Sequence, residues 1–268
     1  MPDLDDPIRR YYDAGRERGR LEADPLERDR THRLLQRFLP PPPARVADVG
    51  GGPGHYAVWL TERGYDVVLL DPMSVHLEQA AEAGVGETAL GDARELPWGD
   101  ASFDAVLLFG PLYHLVERED RVRSLAEAAR VVTPGGVVMA AVISRYASFV
   151  DGLVHERFGD PAFREIVAQD VADGRHQNPN DVPGWFTTAF FHTGRELESE
   201  VVEAGLILRG LLAVEGPGTV LADDQRLEAD TEAWAALLAL IERVESEPSL
   251  LGLSSHIMAV AHRPRRSV

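Results

Sequence analysis

The chain of 268 residues contains no cysteine, and its 27 basic residues are all arginine, so lysine is missing too. Without cysteine there is no disulfide, no thiolate nucleophile and no cysteine-bound zinc. Without lysine a Walker-type phosphate loop and a Schiff-base mechanism are ruled out. No apolar run approaches the roughly 20 residues that cross a bilayer. The opening MPDLDDPIRR is acidic and lacks the apolar stretch of a secretory signal. These absences predict a cytoplasmic protein with no membrane partner. Positive charge is scarce as well: the formal charge is −17, and apart from the short tract Arg263-Pro264-Arg265-Arg266 the arginines are interleaved with acids. Duplex binding draws on basic surface, so no nucleic-acid partner is expected, and the acidity is read as solubility. The histidines show no close metal-ligand spacing, so no metal is expected.

What is present is an alternation. Strand patterns fall at 45–49, 67–70, 88–90, 104–109, 136–142, 207–214 and 256–262, with helices at 54–63, 74–83, 118–131 and 195–204. Such alternation predicts an α/β fold with a parallel sheet covered on both faces. Thr133-Pro134-Gly135-Gly136 reads as a helix stop and turn before the fifth strand. Ahead of the sheet, residues 6–39 read as two helices. Asp24-Pro25 with Glu27 three residues after the cap opens the second. Between the fifth strand and residue 195 the pattern weakens and aromatics gather: Phe149, Phe158, Phe163, Trp185, Phe186, Phe190 and Phe191. This stretch is read as a helical cap above the C-terminal edge of the sheet, with His155, His176, His192 and Tyr146 as possible lining of a pocket. Near the C-terminus, Trp234, Leu237, Leu238, Ile241 and Val244 share one helix face.

The tract Val46-Ala47-Asp48-Val49-Gly50-Gly51-Gly52-Pro53-Gly54-His55-Tyr56 is strand, tight turn and helix in succession. That layout brings a backbone close to a nucleotide-like ligand. Asp71 closes the next apolar run, 21 residues after Gly50, where a carboxylate accepts from ribose hydroxyls. The dinucleotide pattern G-x-G-x-x-G fails in both registers, because His55 or Pro53 falls on a required glycine. The spacing present is G-x-G-x-G, at Gly50, Gly52 and Gly54. Asp48, two residues ahead, holds the loop through backbone amides or orients a ligand amine.

With D-V-G-G-G-P-G, V-L-L-D-P, G-D-A-R, F-D-A-V-L-L-F-G-P-L-Y-H-L and L-A-E-A-A-R-V-V-T-P-G-G-V in order, the chain resembles the class I S-adenosylmethionine-dependent methyltransferases, in the small-molecule, ubiquinone-type group (type 11). The resemblance is strong over 45–145 and holds in outline over 195–263. It implies a Rossmann-like, doubly wound seven-stranded sheet with the last strand antiparallel. The expected organisation is an N-terminal helical lid (1–43), the cofactor-binding domain (44–145 and 195–268) and an inserted substrate cap (146–194). By matching, Gly50, Gly51, Gly52 and Gly54 approach the methionine part of the cofactor. Asp71 grips the ribose, Pro72 and Met73 lie along the adenosine, and Asp92 with the Ala93 amide reads the adenine. Arg94 stacks beside adenine or pairs with an acid. Phe109 and Gly110 lie under the sulfonium. Tyr12 and Arg20, in the tract from Tyr11 to Arg20, are expected on the cofactor carboxylate. Tyr113, His114 and His192 are the catalytic candidates, the histidines as general base or hydrogen-bond partner. The function implied is methyl transfer to a small-molecule acceptor by a monomer or homodimer, with S-adenosylhomocysteine as product. A non-methylating cofactor binder of the same fold and an NAD-type oxidoreductase are the alternatives.

Overall fold

The computed structural model describes residues 6–13, 19–221 and 224–265. Three helices come first: α1 (Asp6–Asp13), α2 (Arg20–Ala23) and α3 (Pro25–Phe38). The Asp24 carboxylate accepts from the Glu27 amide at 3.1 Å, and Pro25 holds the first helical position, so α3 starts where its cap predicts. The alternating part follows: β1 (Arg45–Val49), α4 (His55–Thr61), β2 (Asp66–Asp71), α5 (Ser74–Glu82), β3 (Glu87–Leu90), β4 (Phe103–Leu108), α6 (Pro111–His114), α7 (Arg118–Val131) and β5 (Val132–Ile143). The next segment carries α8 (Ala147–Val154), α9 (Pro161–Asp173), β6 (Arg175–His176) and β7 (Ala189–Phe190). The chain ends with α10 (Gly194–Glu203), β8 (Ile207–Ala213), α11 (Asp224–Glu228), α12 (Thr231–Val244), α13 (Pro248–Leu251) and β9 (His256–His262).

Seven strands form one sheet in the order β3-β2-β1-β4-β5-β9-β8. The pairs through β5 are parallel, while β9 runs antiparallel to both β5 and β8. This is the doubly wound, Rossmann-like sheet expected, and the chain order reverses between β1 and β4. Such a reversal opens a crevice at the carboxyl ends of the strands. Each sheet face buries its own core. Leu125, Ala128 and Val131 of α7 pack on one side with Leu197 and Val201 of α10. Leu34 and Leu35 of α3 pack on the other with Tyr56, Ala57 and Leu60 of α4.

Three expectations change. Residues 6–39 carry three helices rather than two, because the short α2 precedes the Asp24 cap. Thr133–Gly136 lies inside β5 rather than before it: Phe103 pairs with Val132 and Ala105 with Val137, so the residues between bulge from the ladder. Gly135, at φ 85°, supplies the positive angle the bulge needs and donates its N–H to the Arg263 carbonyl at 2.9 Å. The segment after β5 is helical only in part. It also folds into a two-stranded ribbon, with Arg175 opposite Phe190 and His176 opposite Ala189.

Candidate active site

The crossover loop is fixed by main-chain bonds to the neighbouring strand. Gly50 donates to the Leu70 carbonyl at 2.6 Å, and Gly52 donates to Asp71 Oδ2 at 2.9 Å. Gly50 sits at φ 72°, and a Cβ there would lie 2.7 Å from Pro111 Cδ. No other residue type fits so close beneath α6. Asp71 also accepts from the Met73 amide at 2.9 Å and lies 3.0 Å from His76 Nδ1. Three of the roughly four lone-pair positions of a carboxylate are thereby engaged, and about one is left for a ligand hydroxyl.

Asp48 is the anomaly. It is fully buried on β1, and neither carboxylate oxygen has a hydrogen-bond partner. Burial, followed by the nearby charge of Asp71, pushes its pKa up to about 7. A buried carboxylate kept without a partner marks a place where a donor or a cation belongs.

Asp92 and Arg94 close the other end of the cavity. Arg94 donates its backbone N–H to Asp92 Oδ1 at 2.8 Å and its guanidinium to Oδ2 at 2.6 Å, and it reaches Asp120 at 2.8 Å. Of its two expected roles, Arg94 takes the pairing with acids. Burial opposes the Asp92 charge, yet the Arg94 bonds hold that carboxyl below its ordinary range.

These groups line a cavity of about 380 Å³ at the strand ends, with Pro72, Met73, Ala93, Phe109 and Gly110 in its wall. Tyr12 and Arg20 reach it from α1 and α2, and Tyr113 and His114 from α6. Residues 14–18 of the expected lid tract lie outside the described residues. Gly54 is not in this wall. It caps α4 at φ 90°, and a Cβ there would press on Val85 and Ala80 at 3.0 and 3.1 Å, so it serves helix packing.

His114 Nε2 lies 2.5 Å from the Tyr12 hydroxyl, and its ring stacks on Phe186 at 5.7 Å. Burial lowers its pKa to about 4. His114 is therefore neutral near pH 7, with its Nε2 engaged, and makes a weak base. Tyr113 donates its hydroxyl to the Phe109 carbonyl at 3.2 Å. His192 is not brought to the site. It is wholly buried beside Glu200, which lies 3.3 Å from its Nε2, and packs edge-on against Phe190. The Arg121–Glu200 ion pair at 2.8 Å occupies the same core position.

A second cavity of about 290 Å³ adjoins the first and shares Tyr12, Arg20 and Tyr113 with it. Its walls come mainly from residues 143–191, the segment that carries α8, α9 and the ribbon. At its edge Arg20 pairs with Glu27 at 2.5 Å, and His256 Nδ1 lies 2.6 Å from Glu215. Burial opposes the charge of His256, but Glu27 and Glu215 outweigh it and raise the pKa to about 9. Among the described residues, Glu27, Glu215 and His256 gather ligand atoms within 4.8 Å of one another, as a metal site would. Their separation in sequence hid this grouping. Arg20 and the His256 proton already neutralise both carboxylates.

Residues 47–140 match the family model of a methyltransferase domain. That stretch contains the glycine loop, Asp48, Asp71 and Asp92. That segment is similar to methyltransferase domains. An uncharacterized methyltransferase of Mycobacterium tuberculosis is 38% identical over 122 residues, which cover 45% of this chain and 45% of that protein. The chain thus spans about half the length of the curated relatives it matches. A protein of Mus musculus named probable tRNA methyltransferase 9B is 34% identical over 38% of this chain and 22% of its own length. A solved S-adenosylmethionine-dependent methyltransferase from Mesorhizobium loti shares the fold of this chain. It has a TM-score of 0.58 and 18% identity, covering 89% of this chain and all of that one. The expected exclusion of nucleic acid finds no support here, given the name of the mouse relative. Among the described residues, no helix is long and apolar enough to cross a membrane.

Proposed function

We propose that the chain transfers a methyl group from S-adenosylmethionine to a small-molecule acceptor. One observation carries the reading: Asp48, its buried carboxylate unpartnered, belongs to the wall of a cavity bounded by the glycine loop, Asp71 and Asp92. The residues fit this cofactor. A cationic amine satisfies Asp48, a ribose hydroxyl takes the remaining Asp71 lone pair, and the Ala93 segment with Asp92 borders the base. Arg20 and Tyr12 stand where a carboxylate would be held, Arg20 as a charge-assisted donor. Phe109 and Gly110 lie below the reacting centre. When bound, this cofactor supplies an electrophilic methyl carbon on a sulfonium.

The protein's own contribution is alignment and exclusion of water. Holding the two reactants in line contributes roughly 7–11 kcal/mol. In this reading the N-terminal helices act as a lid over the donor and segment 146–194 as the cap that holds the acceptor. The acidic surface and the small adjoining cavity favour a small molecule over a polynucleotide. Calorimetry with S-adenosylhomocysteine and with NAD tests the cofactor, and transfer of a labelled methyl group to small molecules and to tRNA tests the acceptor. Binding of NAD alone, or transfer to tRNA alone, refutes the corresponding part.

A further inference from the structure

His176 belongs to the second cavity and takes no part in holding a cofactor. Its Nδ1 lies 2.9 and 3.1 Å from the two Asp170 oxygens, and both side chains are buried. Ser148 donates its hydroxyl to Asp170 Oδ2 at 2.6 Å, which fixes the carboxylate from the other side. The ring stacks on Phe191 at 4.6 Å with an interplanar angle of 12°. Its backbone is held in the ribbon, opposite Ala189. A carboxylate at Nδ1 draws the proton of the neutral ring to that nitrogen and leaves the Nε2 lone pair bare. Among the described residues, His176 Nε2 is the buried side-chain polar atom of this wall without a hydrogen-bond partner.

We propose that His176 is the general base for a hydroxyl acceptor of planar, largely apolar body, with Asp170 as its positioning residue. This rests on the methyltransferase reading above. Phe163, Trp185, Phe186 and Tyr11 give the cavity aromatic walls suited to a flat ring. The charges lining it are paired: Arg157 with Asp151 at 3.2 Å, His256 with Glu215, and Arg20 with Glu27. Within this wall His176 Nε2 is the buried polar atom left without a partner, and in this proposal it is the atom that takes the proton of a neutral acceptor. In the reaction the acceptor O–H bond breaks toward Nε2 while the oxygen lone pair forms the bond to the methyl carbon. The C–S bond breaks with its electron pair left on sulfur. The products are a methyl ether, a thioether and an imidazolium beside the Asp170 carboxylate, and the imidazolium proton returns to water.

The probe is 4-nitrophenol, whose phenolate absorbs in the visible. It is titrated into the full chain with and without S-adenosylhomocysteine. The phenol bound to the wild-type protein is expected to ionise more than free phenol at the same pH. His176→Asn should remove that excess without changing S-adenosylhomocysteine affinity. Asp170→Ala should reduce it, and Asp170→Glu should restore part of it. Methyl transfer to phenols should fall about 10²–10⁴-fold in His176→Asn. No excess ionisation in the wild type, or equal ionisation in His176→Asn, overturns the assignment of the base. Failure to bind S-adenosylhomocysteine overturns the methyltransferase reading instead. Nitrogen NMR of the wild-type protein covers the case in which the variant does not fold: an unprotonated Nε2 supports the base, and a protonated Nε2 in the neutral ring refutes it.

Discussion

Replacing Asp48 by asparagine should separate the stability of the protein from its ability to hold a ligand. The carboxylate is buried without a partner, and that burial raises its pKa from the ordinary 3.8 to about 7. A carboxyl whose folded-state pKa is raised binds its proton more tightly in the native state, so ionisation opposes folding. The penalty is absent below about pH 4, grows as the pH rises to about 7, and is constant above that. At about 1.36 kcal/mol per pH unit it reaches roughly 4 kcal/mol. Asparagine removes the charge but leaves a buried amide to desolvate, at a cost of about 1–3 kcal/mol. Asp48→Asn should thus be more stable than wild type by about 1–3 kcal/mol near pH 8, and no more stable near pH 5. Its affinity for S-adenosylhomocysteine should fall about 10–100-fold, because a charge-assisted bond of about 1.5–3 kcal/mol is lost. Urea titrations at the two pH values read the stability, and calorimetry reads the affinity. A less stable variant near pH 8, or an unchanged affinity, would refute the reasoning.

Asp71→Ala removes the acceptor of the Gly52 and Met73 amides. It should abolish S-adenosylhomocysteine binding in calorimetry and cost about 2–4 kcal/mol in urea. Arg121→Ala leaves Glu200 charged in the core, and the Leu115 and Val116 carbonyls lose a donor. A loss of about 3–5 kcal/mol by chemical denaturation is expected. His114 is neutral above about pH 5, because burial lowers its pKa to about 4. His114→Asn should leave any limb of the kcat/KM profile between about pH 6 and 8 in place, and a displaced limb would return His114 to the role of base.

The sheet was legible because its evidence is local. Apolar runs ending in glycine or aspartate mark β1 and β2, and the Asp24-Pro25 cap marks α3. The fifth strand was read short because Pro134 and Gly135 are turn residues in isolation. Only the partner strand reveals that they form a bulge. The donor half of the candidate site was legible for the same reason: Asp48, Gly50, Gly52, Asp71 and Asp92 sit at fixed offsets from strand ends. The acceptor half was not. His176 and Asp170 meet because α9 turns back through Gly174 into the ribbon, at φ 80°. Their spacing of six residues does not put them on one face of a helix. His192 attracted attention by its aromatic neighbours, yet those neighbours close a core around the Arg121–Glu200 pair. The histidine signal was the same in both, and each buried ring keeps one nitrogen without a partner; the cavity beside His176 tells them apart.

Tyr12, Arg20 and Tyr113 form a party wall between the two chambers, and two of the three come from the helices ahead of the sheet. Neither compartment can therefore be remodelled alone. A shift of α1 that widens the door for one guest loosens the grip on the other, so arrivals and departures on the two sides are bound to one another in time.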